Sequence, residues 1–378
     1  FENKGQEGIE LSVNKKLSGK DGFKKYVRTN KGEIIETQII PPNHGQDITT
    51  TLDAKLQYLV YQELKKAFDY YKASSASAIL VDLKSKDILA MANYPSFNPN
   101  DRRGMNPNLL ANRSATDLFE PGSTVKPLAL AGLLQEDVIY KDTIVKTSPG
   151  YIEYEGFLTS DFKDYGTLNL SDVISKSSNV AMVKLCDKSN SEEIIKNFYK
   201  WGFGKYINEI FISNREGYLP SSADLSAREK VSLCYGYGLQ VTLIQLVGAY
   251  TALFSNGQFQ GLNLISGSYN MNENEIISSE IAEEIKIMLS EAVNNGTGRN
   301  ALVKNTRIIG KTGTTKRLTN QGYNEESFNA SFIGMAELDD NDYVLGILVR
   351  DAKENGEGGG QVAAPIFSKI IKSIQNTL

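Results

Sequence analysis

The chain has 378 residues, enough for one large domain with a smaller one beside it, and 40% hydrophobic with 23% charged residues is a globular composition. Its 41 basic and 45 acidic residues leave a net charge of −4, which offers no electrostatic footprint for nucleic acid. The only cysteines, Cys186 and Cys234, and the only histidine, His44, cannot form a zinc cluster, and a Ser-His-Asp triad has no good candidate because His44 sits in a loop-like stretch with Pro41, Pro42 and Gly45.

Residues 1–45 are polar and rich in lysine and glycine, and "YVRTNKGEIIETQII" predicts a small hairpin or extended arm. The main domain is expected from residue 46 to 378. Thr51 or Asp53 can cap a helix over 53–72, whose apolar positions Leu56, Leu59, Val60, Leu64, Ala67 and Phe68 recur at helical spacing. "ASAILVDLKSKDILAMANYP" reads as two strands joined at Lys84-Ser85-Lys86. A long loop then leads to a helix opening at Ser123. Further helices are expected over 170–187, 191–201, 225–235, 242–255 and 279–293. "RIIGKTGTTKR", "NASFIGMAEL" and "DYVLGILVRD" read as three strands, and "APIFSKIIKSIQ" as a closing helix. Strands at both ends of the domain with helices between them predict an α/β (α+β) fold, one antiparallel sheet flanked by helices with a helical subdomain. No stretch approaches the roughly 18 to 20 apolar residues that span a bilayer.

Three segments carry candidate chemistry. In "LFEPGSTVKPLALAGLL", Ser123 and Lys126 lie three apart at a turn-to-helix junction, where they share a helix face. The competing reading is a serine N-cap with a lysine reaching solvent. However, the helix behind them has no polar face, so it is expected to be buried all round, and a desolvated lysine can serve as base to a serine nucleophile. In "VISKSSNVAMVKLC", Ser177 and Asn179 bring a hydroxyl and an amide to a helix start. "GKTGTTK" places Lys311, Thr312, Gly313 and Thr314 after a strand-like run, where a glycine permits close approach and the other side chains can bind a carboxylate. Each segment alone could be ordinary capping or turn chemistry.

Together, in this order and separated by 54 and 134 positions, they match the S-x-x-K, S-x-N and K-T-G set of serine β-lactamases and penicillin-binding proteins. The chain resembles the transpeptidase domains of class B penicillin-binding proteins, most of all the cell-division type. The likeness extends through "EGIELSVNKKLSG", "AILVDLKSKDILAMANYPSFNPN", "NRSATDLFEPGSTVKP", "YGYGLQVT", "NNGTGRNA" and "GGGQVAAPIF".

The resemblance implies a serine-type D-Ala-D-Ala transpeptidase that cross-links peptidoglycan stem peptides without a metal or cofactor and is acylated by β-lactams. It makes Ser123 the nucleophile and Lys126 the base. Asn179 would hold Lys126, Ser177 would relay a proton, and Lys311 would add positive potential. Thr312, Gly313 and Thr314 would bind the substrate, and the oxyanion would meet the backbone N–H groups of Ser123 and Thr314. Residues 1–45 would be the end of an N-terminal pedestal. A membrane anchor upstream of Phe1 would place the domain on the periplasmic side of the inner membrane, with division proteins and a glycan polymerase as partners.

Leu243 stands where the family usually has proline and Thr315 where alanine is usual, which touches only local geometry. The alternatives are a β-lactam sensor, a D,D-carboxypeptidase and a serine β-lactamase. The last would need a water-activating glutamate. Glu193 and Asn197 imitate its spacing, but the helical period of "SEEIIKNFYKWGFG" reads them as an exposed pair.

Overall fold

The computed structural model describes residues 4–101, 103, 106–206, 215–267, 274–319, 322–338 and 341–377. A sheet of five antiparallel strands organises the main domain. The strands run in the order Arg307–Thr319, Gly322–Leu338, Asn341–Arg350, Ser75–Asp82, Ile88–Tyr94, so the first and last parts of the domain meet where Asn341–Arg350 pairs with Ser75–Asp82. Side chains alternate across a strand, and the apolar residues divide accordingly. Ala76, Ala78 and Leu80 pack with the Ala54–Tyr71 and Ala363–Gln375 helices, where Phe332 and Phe367 meet edge to face. Ile79, Val81, Val344 and Leu348 face the other way, toward a second core built on the helices Lys126–Gln135, Leu243–Phe254 and Ser279–Asn294.

Most predicted elements form. Asp53 caps the Ala54–Tyr71 helix by accepting from the Leu56 amide. Thr242 and Gln245 make a reciprocal capping box at the Leu243–Phe254 helix. Leu243 thus occupies the first helical position, where proline would be accepted but is not required. The N-terminal stretch holds a separate exposed hairpin, Phe23–Arg28 with Ile34–Ile40. His44 is exposed in the loop that pairs with residues 16–20.

Two expectations are corrected. The stretch 170–187 is two helices, Leu170–Ser175 and Asn179–Cys186, because Ser177 adopts a left-handed φ of 59° that no α-helix continues. Ser123 does not cap a helix: it lies inside a 3-10 turn, Gly122–Val125, and the α-helix begins at Lys126. Gly122 has φ +57°, and a Cβ there would stand 2.5 Å from Thr315 Cγ2, so only glycine turns the chain this closely against the sheet.

Cys186 and Cys234 form a disulfide that closes a 48-residue separation. It joins the end of the Asn179–Cys186 helix to the segment after the Ala227–Leu233 helix, from which Gly236 O accepts the Gly122 amide. Loop closure of this size stabilises by about 4 kcal/mol. The double variant Cys186→Ala with Cys234→Ala is therefore expected to lose about that much unfolding free energy in urea titration.

Candidate active site

The three predicted segments converge between the sheet edge and the helical core. The Gly122–Val125 turn packs on the edge strand: a Cβ at Gly313 would lie 2.8 Å from Pro121 O and 2.9 Å from Thr124 Cγ2. Below the turn, the buried Tyr250 hydroxyl donates to Thr124 O at 2.7 Å. Ser123 stays partly exposed at the mouth, whereas Lys126, one turn on, is 0% exposed on a helix buried through Leu133.

Lys126 Nζ donates to Asn179 Oδ1 at 2.7 Å, to Ser177 O at 2.6 Å and to Ser177 Oγ at 3.3 Å. Lys311, also 0% exposed, approaches the same hydroxyl from the edge strand, with Nζ to Ser177 Oγ at 3.1 Å. The left-handed turn at Ser177 thus lets one residue present both its carbonyl and its hydroxyl to two lysines. Burial, and secondarily the Lys311 charge, hold the Lys126 ammonium well below the usual lysine range, against an opposing pull from Asp161. Burial alone lowers Lys311 to about 7.

Of the predicted substrate-binding residues, Thr312 Oγ1 donates to Thr297 Oγ1 at 2.8 Å, and Thr314 is exposed with its hydroxyl accepting from the Gly359 amide at 2.9 Å. Gly313 lies between them under the Gly122–Val125 turn. Because they sit on an edge strand, backbone groups there face away from the sheet and can pair with an extended peptide. Thr315 donates its hydroxyl to Glu120 O at 3.0 Å, which satisfies it where an alanine would need no partner.

Other residues at the site were missed. Asp161 accepts from the Ser178 hydroxyl and from the amides of Asn179 and Val180, and Ser160 O accepts from Asn179 Nδ2 at 3.3 Å. Ser160 ends a short strand, Phe157–Ser160, and Asp161 follows it, in a stretch whose sequence carries no catalytic signature. Glu120 is 4% exposed, and its Oε1 accepts from the Gly238 amide at 2.8 Å and the Tyr323 hydroxyl at 2.9 Å. Burial pushes its carboxyl up. Thr297 and Glu120 lie inside "NNGTGRNA" and "FEPGST", so the sequence held a trace of them.

The helix carrying Glu193 packs behind Lys126–Gln135, away from the mouth. Glu193 pairs with Lys196 at 3.5 Å. Asn197 corrects the expectation of an exposed residue: it is half-buried, donating to Leu128 O at 3.0 Å and accepting from the Trp201 indole at 3.1 Å. Among the described residues no group of His, Cys, Asp and Glu is arranged to hold a metal ion.

A partly exposed serine one turn from a buried lysine whose burial favours its neutral form, at the edge of an antiparallel sheet, can perform nucleophilic acyl transfer. Comparison with known proteins gives the family. Residues 76–372 match the penicillin binding protein transpeptidase domain, and residues 2–50 the penicillin-binding protein dimerisation domain. The chain belongs to the penicillin-binding protein transpeptidases.

It is 35% identical to the peptidoglycan D,D-transpeptidase FtsI of Buchnera aphidicola, over 99% of this chain and 66% of that protein. To the FtsI of Escherichia coli K12 it is 32% identical, over 100% of this chain and 64% of the relative. The chain thus spans slightly less than two thirds of these relatives' length. The transpeptidase domain of Burkholderia pseudomallei penicillin-binding protein 3 superposes with a TM-score of 0.79 at 30% identity, covering 88% of this chain and 96% of that one.

Proposed function

We propose that the chain is a peptidoglycan D,D-transpeptidase that cross-links stem peptides through a serine acyl-enzyme and is acylated by β-lactams. The observation that carries this reading is the Lys126 amine, fully buried and fixed by Asn179 and Ser177, one turn from Ser123. Ser123 Oγ attacks the carbonyl between two terminal D-alanines while Lys126 takes its proton. The oxyanion is met by the backbone N–H groups of Ser123 and Thr314. On collapse the C–N bond breaks, and the leaving D-alanine amine takes a proton through Ser177, which both lysines touch. The amine of a second stem peptide then attacks the ester, forming the cross-link and returning the proton to the serine.

Thr312 and Thr314 face the terminal carboxylate, with Gly313 admitting the strand close to the nucleophile. Residues 46–378 form the catalytic unit and residues 1–45 belong to a pedestal. An oxidising compartment favours the Cys186–Cys234 bond, which supports a position outside the cytoplasmic membrane. A septal role beside a glycan polymerase, tethered to the inner membrane with the catalytic unit on its periplasmic side, rests on the likeness to the two FtsI chains.

Mass spectrometry after incubation with penicillin is expected to find one adduct, on Ser123, persisting for many minutes, and a D-Ala-D-Ala peptide is expected to exchange its terminal residue for an added amine. An adduct on another serine overturns the nucleophile assignment. Multiple turnovers of penicillin hydrolysis would make the protein a β-lactamase, and release of D-alanine to water alone a carboxypeptidase.

A further inference from the structure

We propose that Asp161 is a positioning residue of this site, orienting the Asn179 amide and setting a fixed negative charge near the buried Lys126. The inference rests on the transpeptidase reading and extends it to a residue outside the three motifs.

An amide side chain can present either its oxygen or its nitrogen, and only the oxygen can accept from Lys126. Here Asn179 Nδ2 donates to Ser160 O at 3.3 Å, which turns Oδ1 toward Lys126 Nζ at 2.7 Å. That alignment requires the start of the Asn179–Cys186 helix to stay against the end of the Phe157–Ser160 strand. Asp161, the next residue, makes the joint. Its Oδ1 accepts from the Asn179 amide at 2.5 Å and the Val180 amide at 3.0 Å, and its Oδ2 from the Ser178 hydroxyl at 2.6 Å. Ser178 Oγ in turn accepts from the Ala181 amide at 3.0 Å. Three donors at the helix start therefore converge on one carboxylate, where an anion is also favoured by the helix dipole.

The charge has a second effect. The charged groups acting on Lys126 are Lys311, from the edge strand, and Asp161, just after the Phe157–Ser160 strand. The first disfavours the ammonium and the second favours it. Around Asp161 itself lies Tyr165, against whose ring Lys163 and Lys176 stand at 5.8 and 6.0 Å. Asp161 thus keeps Lys126 a stronger base than burial beside Lys311 would leave it.

The two contributions separate by substitution. Asp161→Asn keeps an oxygen for the two amides and removes the charge, whereas Asp161→Ala removes both. The rate of acylation by a fluorescent penicillin, followed across pH, is expected to show its acid limb in Asp161→Asn moved down by about one pH unit, because a lysine freed of its anion protonates at lower pH. The plateau should stay within about three-fold, since the two amide hydrogen bonds survive and the Ser178 hydroxyl can accept from the new amide nitrogen. Asp161→Ala is expected to acylate at least about ten-fold more slowly with non-covalent penicillin affinity little changed, the signature of a displaced base. An acid limb in Asp161→Asn that is unmoved or displaced upward overturns the proposal, as does parental acylation by the alanine variant. Should Asp161→Ala fail to fold, the asparagine profile alone decides. A parent protein that takes no adduct on Ser123 would remove the transpeptidase reading and this inference with it, a result distinct from a labelled parent whose profile ignores Asp161.

Discussion

Lys126→Met is expected to slow acylation of Ser123 by about 10²- to 10⁴-fold while the chain stays folded, the range that removing a general base produces. Methionine has nearly the length of lysine and carries no charge, so it fits a site that is 0% exposed. It leaves Asn179 Oδ1 and Ser177 O without their donor, at about 1–3 kcal/mol for each orphaned group. Against this, the variant no longer has to desolvate an amine that burial already drives toward its neutral form. The two terms oppose each other, so thermal unfolding followed by circular dichroism should change little. Arginine is a poorer probe here, because a guanidinium stays protonated and is bulkier than an ammonium, so it would bring a second change into a fully buried position. A methionine variant labelled by fluorescent penicillin at the parental rate would show that Lys126 is not the base.

What could be read from the sequence was local. The apolar run behind Ser123, "PLALAGLL", has no polar face, and the helix is indeed buried through Leu133. The strand-like run at the start of "ASAILVDLKSKDILAMANYP" does form a strand, and its side chains feed the two cores alternately. Of the motif residues, Lys126, Ser177, Asn179 and Lys311 share hydrogen bonds, and Ser123 lies one turn before Lys126 at the mouth. What escaped depends on tertiary contacts. A helix period runs unbroken through 170–187 in sequence, yet Ser177 turns left-handed where it meets Lys126 and Lys311, partners 51 and 134 positions away. Asp161 lay hidden because two of its partners are backbone amides and the third a helix-capping serine, none of which marks it in composition. Ser123 sits in a 3-10 turn because Gly122 must pass against Thr315, a contact no local propensity encodes. Asn197 fits the period of an exposed position, but a neighbouring helix offers Leu128 O to it.

Lys311→Met should separate stability from activity, raising one and removing the other. Burial holds Lys311 at about 7 against an ordinary 10.5. Below pH 7 the amine is charged in both folded and unfolded chains, and the full cost of burying it is present. Between about 7 and 10.5 the unfolded chain binds a proton that the folded chain does not, so this contribution to stability rises with pH across that window. At a pH below both values the cost is on the order of 5 kcal/mol, and the bonds from Nζ to Ser177 Oγ and Thr312 O recover only part of it. Methionine removes the desolvation, so the variant is expected to melt a few degrees above the parent at pH 6 and to show a smaller rise in stability from pH 7 to 10, since of the two site lysines only Lys126 then contributes to it. Acylation should collapse at the same time. Without the Lys311 charge, Lys126 holds its proton to higher pH, so the acid limb of the rate profile moves up, opposite in sign to the shift expected for Asp161→Asn. Ser177 also loses its second amine donor, which raising the pH cannot restore. Melting curves and penicillin labelling over pH 6 to 10 read both effects. A variant less stable than the parent at pH 6 would show that Lys311 is held by interactions stronger than its burial cost. A variant that labels at the parental rate would remove Lys311 from the chemistry, leaving burial alone to keep Lys126 neutral.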